Sequence, residues 1–341
     1  MTRPHGLLRA GYPYLKTLGM RRITNFPTDI AFGEDTAYIL CRSEGITLIR
    51  VWPMEDMEQQ TDDLKQIGGY GSDDGQFIWP VQLITNGDDD LYVSDEATHR
   101  ITRFGLDGAF RGKWGAEGSA PGQLNGPAGI AFDGSGNMVV VDSRNHRVQR
   151  FTADGKYLDG FGSHGSEPGQ FNLPWGVHVD ELGDIYVADW GNNRYQVFSA
   201  GGEFKQAVGE AGSGEGEFDR PTGIAVDAHG DVYVADWGNN RVQMFNAEGH
   251  YVWSFHGNAS LSRVARSYML TNAVSNRLRE AGRLEQEQYL RRPRSVRIDS
   301  EFRLFIADYE SYRIQIYQKD AIALDETQFA APLRNPTLEV T

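Results

Sequence analysis

One imidazole and two guanidiniums stand where a recurring pattern otherwise places small or apolar residues. Four positions after a repeated proline the chain carries Ala31, Ile84, Ala131, His178, Ala225 and Arg297. One position after it stand Thr28, Val81, Ala128, Trp175, Thr222 and Arg294. Arginine presents a planar fork of donors that matches a carboxylate or a phosphate. Arg294 and Arg297, with His178 and Trp175, would make a pocket with a cationic floor and an aromatic wall. The same set admits catalysis, with Arg294 or Arg297 stabilising an oxyanion and His178, or a tyrosine at the same mouth, acting as base. A packing role for each, with its hydrogen bonds satisfied inside the fold, competes with both readings.

Other chemistry is thinner. The sequence holds no G-x-S-x-G elbow, H-E-x-x-H pair, P-loop or dinucleotide fingerprint. His99 and His146 occupy equivalent places one repeat apart, which fits either a shared metal or simple repeat register. The run Asp88-Asp89-Asp90 reads as a solvated turn and leaves a weak calcium site open. No cofactor is expected, with calcium and zinc left open, and no metal ligand is assigned.

These residues are placed by a repeat. The stretch Leu173 to Phe198 returns 47 residues later as Arg220 to Phe245. From a proline, an Asp follows fifteen residues on and an Arg five beyond that: Pro80, Asp95, Arg100; Pro127, Asp142, Arg147; Pro174, Asp189, Arg194; Pro221, Asp236, Arg241; Pro293, Asp308, Arg313. A degenerate sixth copy starts at Pro27, with Arg42 and Thr47 in place of the Asp and the Arg. Each copy reads as four short strands bounded by Gly, Asp and Asn. Six such copies predict an all-β, six-bladed β-propeller. The last copy lacks a fourth strand, and Tyr12 to Gly19 is predicted to supply it, closing the ring without free edges.

The pattern P-x-G-I-A-V-D…Y-V-A-D-x-x-N-x-R-V-Q-x-F resembles the NHL repeat, from about Tyr12 to Tyr317. The resemblance implies a six-bladed propeller and a wide range of functions. Some NHL propellers are zinc lyases that make peptide amides, with metal-binding His directly after the blade prolines. Here those positions hold Thr28, Val81, Ala128, Trp175, Thr222 and Arg294, none of them His. Animal NHL domains that bind RNA use a basic face. This chain has 33 Lys and Arg against 47 Asp and Glu, a net charge of −14, so nucleic acid ranks below the other partners.

In a propeller the lead-in to the first strand and the loop between strands two and three share one face. Thr28, Asp29, Gln82, Trp175, Thr222 and Arg294 then gather at one mouth of the channel. Trp190 and Trp237 join them from loop tips, where an indole serves as a contact surface or packs on the next blade. The recurring Asp and Arg pairs read as structural ties.

Between blades five and six, an insertion over about 258–290 carries two helical spacings. One is Leu261, Val264, Ala265 and Tyr268, with Ser260 as cap, and the other is Val274, Leu278 and Ala281. From Asn258 to Arg294 there are eight Arg and three Glu, which predicts a basic flap over the mouth, as lid or docking arm.

The expected organisation is a single propeller over 1–320 and a tail over 321–341, an irregular strap or a disordered end. No apolar run spans a membrane, and no secretory signal is read at the N-terminus. A lone cysteine, Cys41, in a strand-like run, points to a core thiol and a cytoplasmic location. Two functional readings stand. One is a binding module taking a protein, a peptide or an anionic small molecule at the mouth. The other is a lyase or hydrolase-like enzyme using the same mouth.

Overall fold

The computed structural model describes residues 6–21, 23–43, 46–54, 64–87, 90–271 and 287–324. Within it are six four-stranded antiparallel sheets. Their first strands touch in sequence order around a complete ring, from Pro27–Phe32 through Pro80–Thr85 to Pro293–Ile298 and back. The strand types follow from burial. Second strands such as Met138–Asp142 and Val232–Asp236 are buried along their whole length, so they read as continuous β-branched runs. Fourth strands such as Phe204–Val208 lie outermost, largely exposed, with mixed composition. At the blade junctions a side chain three residues before the proline fills the gap. These are Phe77, Leu124, Phe171, Phe218 and Leu290, all buried.

Each recurring Asp is a buried hub. Asp236 accepts bonds from the Asp219 amide (2.8 Å), Asn239 (2.9 Å), Arg241 Nε (2.8 Å) and Gln243 (3.3 Å). Asp142, Asp189 and Asp308 repeat the arrangement with Arg147, Arg194 and Arg313. The arginines also donate to carbonyls of their own blade's lead-in loop, as Arg241 does to Gly214 and Glu217. Blade two departs from this. Asp95 accepts four backbone amides, while Arg100 turns wholly to the carbonyls of Ser72, Asp73 and Gln76.

The residue just before each Arg links one blade to the next. His99, His146, Asn193 and Asn240 all adopt left-handed backbone, which Asn and His tolerate better than most residues. Their side chains accept from the amides of Gly126, Leu173, Arg220 and Arg292 in the following blade. His99 and His146 therefore act as acceptors at Nδ1, and repeat register explains them. Among the described residues no three His, Cys, Asp or Glu side chains converge as a metal site. Asp90 is not a solvated turn residue either: it is buried against Arg103 and Arg111 at 2.7 and 2.6 Å, while Asp88 and Asp89 lie outside the described residues.

The ring closes as expected, with Tyr14–Leu18 as the outermost strand of blade six, paired to Arg313–Gln318. A second clasp was not expected. Gly6–Gly11 pairs with Asp320–Leu324 in a two-stranded ribbon, so the tail begins as a strand rather than an irregular strap. Two cations pin the ribbon to blade five. Lys319 meets both Asp227 and Asp231 (2.8 Å to Asp231), and Arg9 meets Asp231 (Nε, 2.9 Å). Lys319→Met is expected to destabilise the protein by about 2–3 kcal/mol in urea denaturation. That is below the 3–5 kcal/mol of an uncompensated buried charge, because Arg9 still faces Asp231. A midpoint equal to wild type would show that the clasp adds nothing.

The described part of the insertion contains helix Arg263–Thr271, capped by Ser262 rather than Ser260: the Ser262 hydroxyl accepts from Ala265 N (3.2 Å) and donates to Gly19 O (2.8 Å). The predicted second helix over Val274, Leu278 and Ala281 falls outside the described residues. Cys41 is buried in the core between blades one and six, and burial raises its thiol to about 12. Among the described residues no helix is long and apolar enough to cross a membrane.

Candidate functional site

Six first strands line the channel, and their sequence divides it in two. The second position after each proline is the narrowest ring. Gly129, Gly176 and Gly223 occupy it in blades three to five, where neighbouring backbones touch. Gly129 N donates to Trp175 O (2.7 Å), and a Cβ on Gly176 would fall 2.2 Å from Thr222 O. Only glycine fits such an approach. Blades one and two bridge the same ring with side chains. Asp29 accepts from Leu83 N (2.9 Å) and from both Nε and an Nη of Arg297 (2.9 and 2.6 Å). Gln82 pairs with Ile130 through both ends of its carboxamide (2.9 and 3.2 Å). The resulting constriction encloses a cavity of only about 20 Å³, room for one water.

Asp29 and Gln82 are thus committed to inter-blade bonds. Thr28 donates to Phe26 O (3.3 Å), and Thr222 bridges toward Ala235 and Pro293 carbonyls (3.4 and 3.3 Å). All four line the constriction. None is a free donor at the mouth.

Arg294 is different. Its guanidinium lies 4.7 Å from the Tyr309 ring centroid and 5.7 Å from that of Trp175. Its Nε is buried without a hydrogen-bond partner, and among the described residues no carboxylate comes within ion-pair distance. Burial, then the field of Arg42, pushes this guanidinium down to about 10. Arg42 itself, in the degenerate copy where a hub Asp would stand, lies 4.1 Å from the Trp79 ring and 3.9 Å from Glu96. Glu96 is held above the usual carboxylate range by burial, against the opposing pull of Arg42, Arg144 and Arg294. Glu96 therefore pairs with Arg42 alone, while Arg144 and Arg294 reach it only through their field. The sequence reading missed Arg42, Arg144 and Glu96; the signal was the arginine replacing a hub Asp.

Trp190 and Trp237 extend this mouth outward. Arg220 lies 5.9 Å from the Trp190 ring and 4.7 Å from Trp237, and Arg292 lies 4.6 Å from Trp237 on its other flank. The indoles pack on the next blade's lead-in loop and form an alternating Trp and Arg row. Cation–π contacts orient these guanidiniums, and each also pairs with a carboxylate at the surface, Arg220 with Asp219 (2.7 Å) and Arg292 with Glu310 (3.0 Å).

His178 does not join this group. It lies on the far side of the constriction, in a chamber of about 310 Å³ at the other end of the channel. Arg297 lines both spaces but is held by Asp29. The expected pocket combining Trp175, Arg294, His178 and Arg297 is therefore not formed. Burial, then the charge of Arg297, pushes the His178 imidazole down to about 3, so it is neutral at pH 7. The described residues of the insertion line neither channel space. They lie at the rim, where Ser260, Ser262 and Arg266 share a groove with Leu18 and Trp52. A basic flap over the mouth is not what these residues form, and residues 272–286 lie outside the described part.

Three segments, 124–151, 171–198 and 218–245, match the family model of the NHL repeat. No curated protein sequence matches the chain. Among solved structures, a catalytically inactive virginiamycin B lyase from Staphylococcus aureus with quinupristin is similar, with TM-score 0.54 and 12% identity over 91% of this chain and 88% of that one. A protein of unknown function from Bacteroides thetaiotaomicron gives TM-score 0.59 and 18% identity over 91% of this chain and 72% of that one. A chain of a nidogen/laminin complex gives 0.51 and 18% over 68% and 81%. At these identities the likeness is one of fold. Together with the six closed sheets, the matched repeats identify the chain as an NHL-repeat six-bladed β-propeller.

Proposed function

We propose that this propeller is a binding module whose Arg294 mouth takes a carboxylate or phosphate group, presented by an acidic peptide, a protein or a small anion. The observation that carries this is Arg294, a guanidinium oriented by two aromatic rings, with a buried Nε unpartnered and, among the described residues, no carboxylate within ion-pair distance. An anion arriving there would gain a charge-assisted bond in a desolvated setting. Arg42 and Arg144 add to the same field, and the Trp and Arg row, its arginines paired with Asp219 and Glu310, offers an aromatic margin for a longer ligand. The propeller has a net charge of −14, so its cationic mouth would also select orientation during encounter. A reducing, cytoplasmic setting fits the single buried thiol.

The lyase alternative receives less support. Of its two candidate bases, His178 lies beyond the constriction from Arg294, and the mouth tyrosine, Tyr309, has its ring against the Arg294 guanidinium; the likeness to virginiamycin B lyase is one of fold. The test is calorimetric titration with inorganic phosphate, citrate and a hexaglutamate peptide. At least one is expected to bind, more weakly as salt rises. Arg294→Met is expected to weaken it at least about tenfold, the size of one lost charge-assisted bond, with the urea midpoint unchanged. Binding that survives the substitution, or binding by none of the three, would sink the proposal.

A further inference from the structure

The chamber at the opposite end of the channel is built from residues the mouth does not use. Its width has a sequence cause. At the fourth position after the proline, blades one, three and five carry only Ala31, Ala131 and Ala225, so three of six strands project a methyl where a full side chain would fill the channel. Phe32, Phe132, Val179 and Ile298 line the chamber at the next position along. The constriction closes its inner end, so the space is a blind cup rather than a through-channel. A cavity of about 310 Å³ reaches the size range of small-molecule sites.

Three polar side chains reach this cup, and none offers a charge: the Thr85 hydroxyl donates to Phe32 O (2.9 Å). Arg297 is paired in two places with Asp29 at 2.6 and 2.9 Å. His178 is neutral and makes a backbone hydrogen bond with Val226. Among the described residues no donor reaches its other ring nitrogen, which is left as an acceptor. An anion would meet a neutralised Arg and an imidazole that resists protonation, so it gains nothing. An apolar body with a single donor would satisfy both the walls and the imidazole.

We infer that this chamber is a second binding site, independent of the mouth, for a small neutral molecule with an apolar body and one O–H or N–H donor directed at His178.

The experiment is ligand-observed NMR and calorimetry at pH 7.5 with three probes of one shape: 4-ethylphenol, ethylbenzene and 4-ethylbenzoate. 4-Ethylphenol is expected to saturate with a Kd of about 0.1–1 mM, the range open to nine heavy atoms. Ethylbenzene is expected to bind at least fivefold more weakly, and 4-ethylbenzoate not at all. Ala131→Leu, which fills the cup from a half-buried wall position, is expected to abolish binding. His178→Phe is expected to bring 4-ethylphenol down to the affinity of ethylbenzene. Arg294→Met should leave all three unchanged, and a loss there would place the probe at the mouth and overturn the assignment. So would an absence of saturable 4-ethylphenol binding, tighter binding of the benzoate, or affinity unmoved by either chamber substitution. The urea midpoint checks that each variant is folded. Should Ala131→Leu fail to fold, Ile84→Phe fills the same cup from a neighbouring half-buried wall.

Discussion

Replacing Asp236 with alanine is expected to lower the stability of the protein by about 3–5 kcal/mol, read as a fall in the urea midpoint at constant slope. The hub is fully buried and gathers four donors, one of them the guanidinium of Arg241, itself only 6% exposed. Removing the carboxylate leaves that charge with only the carbonyls of Gly214 and Glu217, and it strands the Asp219 amide that fixes the approach to Pro221. The double variant Asp236→Ala, Arg241→Met is expected to be more stable than the sum of the two single losses would allow, because the stranded charge is gone. Additive losses would mean that the pair is not coupled. Asp95 offers a contrast: it binds four backbone amides and no Arg, so its loss exposes no unpaired cation.

Acid is expected to reveal His178. Its imidazole is pushed down to about 3 by burial first and by the Arg297 charge second, against an unfolded value of about 6.5. The unfolded chain therefore binds the proton more readily. Stability is unaffected above about pH 6.5 and is lost progressively as pH falls from there toward 3. The channel admits solvent to this half-buried ring, so the total is about 2–4 kcal/mol rather than the full shift at 1.4 kcal/mol per unit. The groups facing the ring are Arg297 and, through it, Asp29. Comparing wild type with His178→Phe in urea at pH 7.5, 5.5 and 4 isolates the effect from carboxylates that titrate lower. The variant is expected to lose less stability than wild type at each downward step. Parallel losses in both proteins would show that His178 carries no acid penalty.

The ring was legible because its ties are made by residue types that recur at fixed spacing. A proline, a hub Asp and its Arg are each needed once per blade, and Tyr12 to Gly19 could be seen as the missing strand. The division of the channel was not legible. Trp175 and His178 sit three residues apart, Trp175 in the lead-in and His178 on the first strand of blade four, up to about 10 Å along the chain at 3.3 Å per residue. Sequence alignment stacks these positions from all six blades without showing that a pinch lies between them. The pinch comes from backbones that meet at Gly129, Gly176 and Gly223, and a glycine in a repeat reads first as a turn. Arg294 was visible as an exception to its repeat column. Its companions were hidden because Glu96 and Arg144 lie in loops whose residues agree only between blades four and five, and because Arg42 read as decay of the pattern rather than as a cation. The Trp and Arg row was half visible: the indoles stood out, whereas Arg220 and Arg292 hold the position just before the proline, where the residue changes from blade to blade.

The seam of the ring also sets an order of events on the ribosome. Tyr14–Leu18 pairs with a strand made about 300 residues later, which takes about 15–60 s at 5–20 residues per second. For that interval this strand has no partner. Ile30, Ile39 and Trp52 of blade one wait without Phe305, Ile314 and Ile316, which cover them in the finished ring. The propeller thus spends most of its synthesis as an open arc with an apolar flank at its oldest end. Nascent chains of this protein are exposed to misassembly for as long as translation lasts, and shortening that wait would help them more than any further bond at the seam.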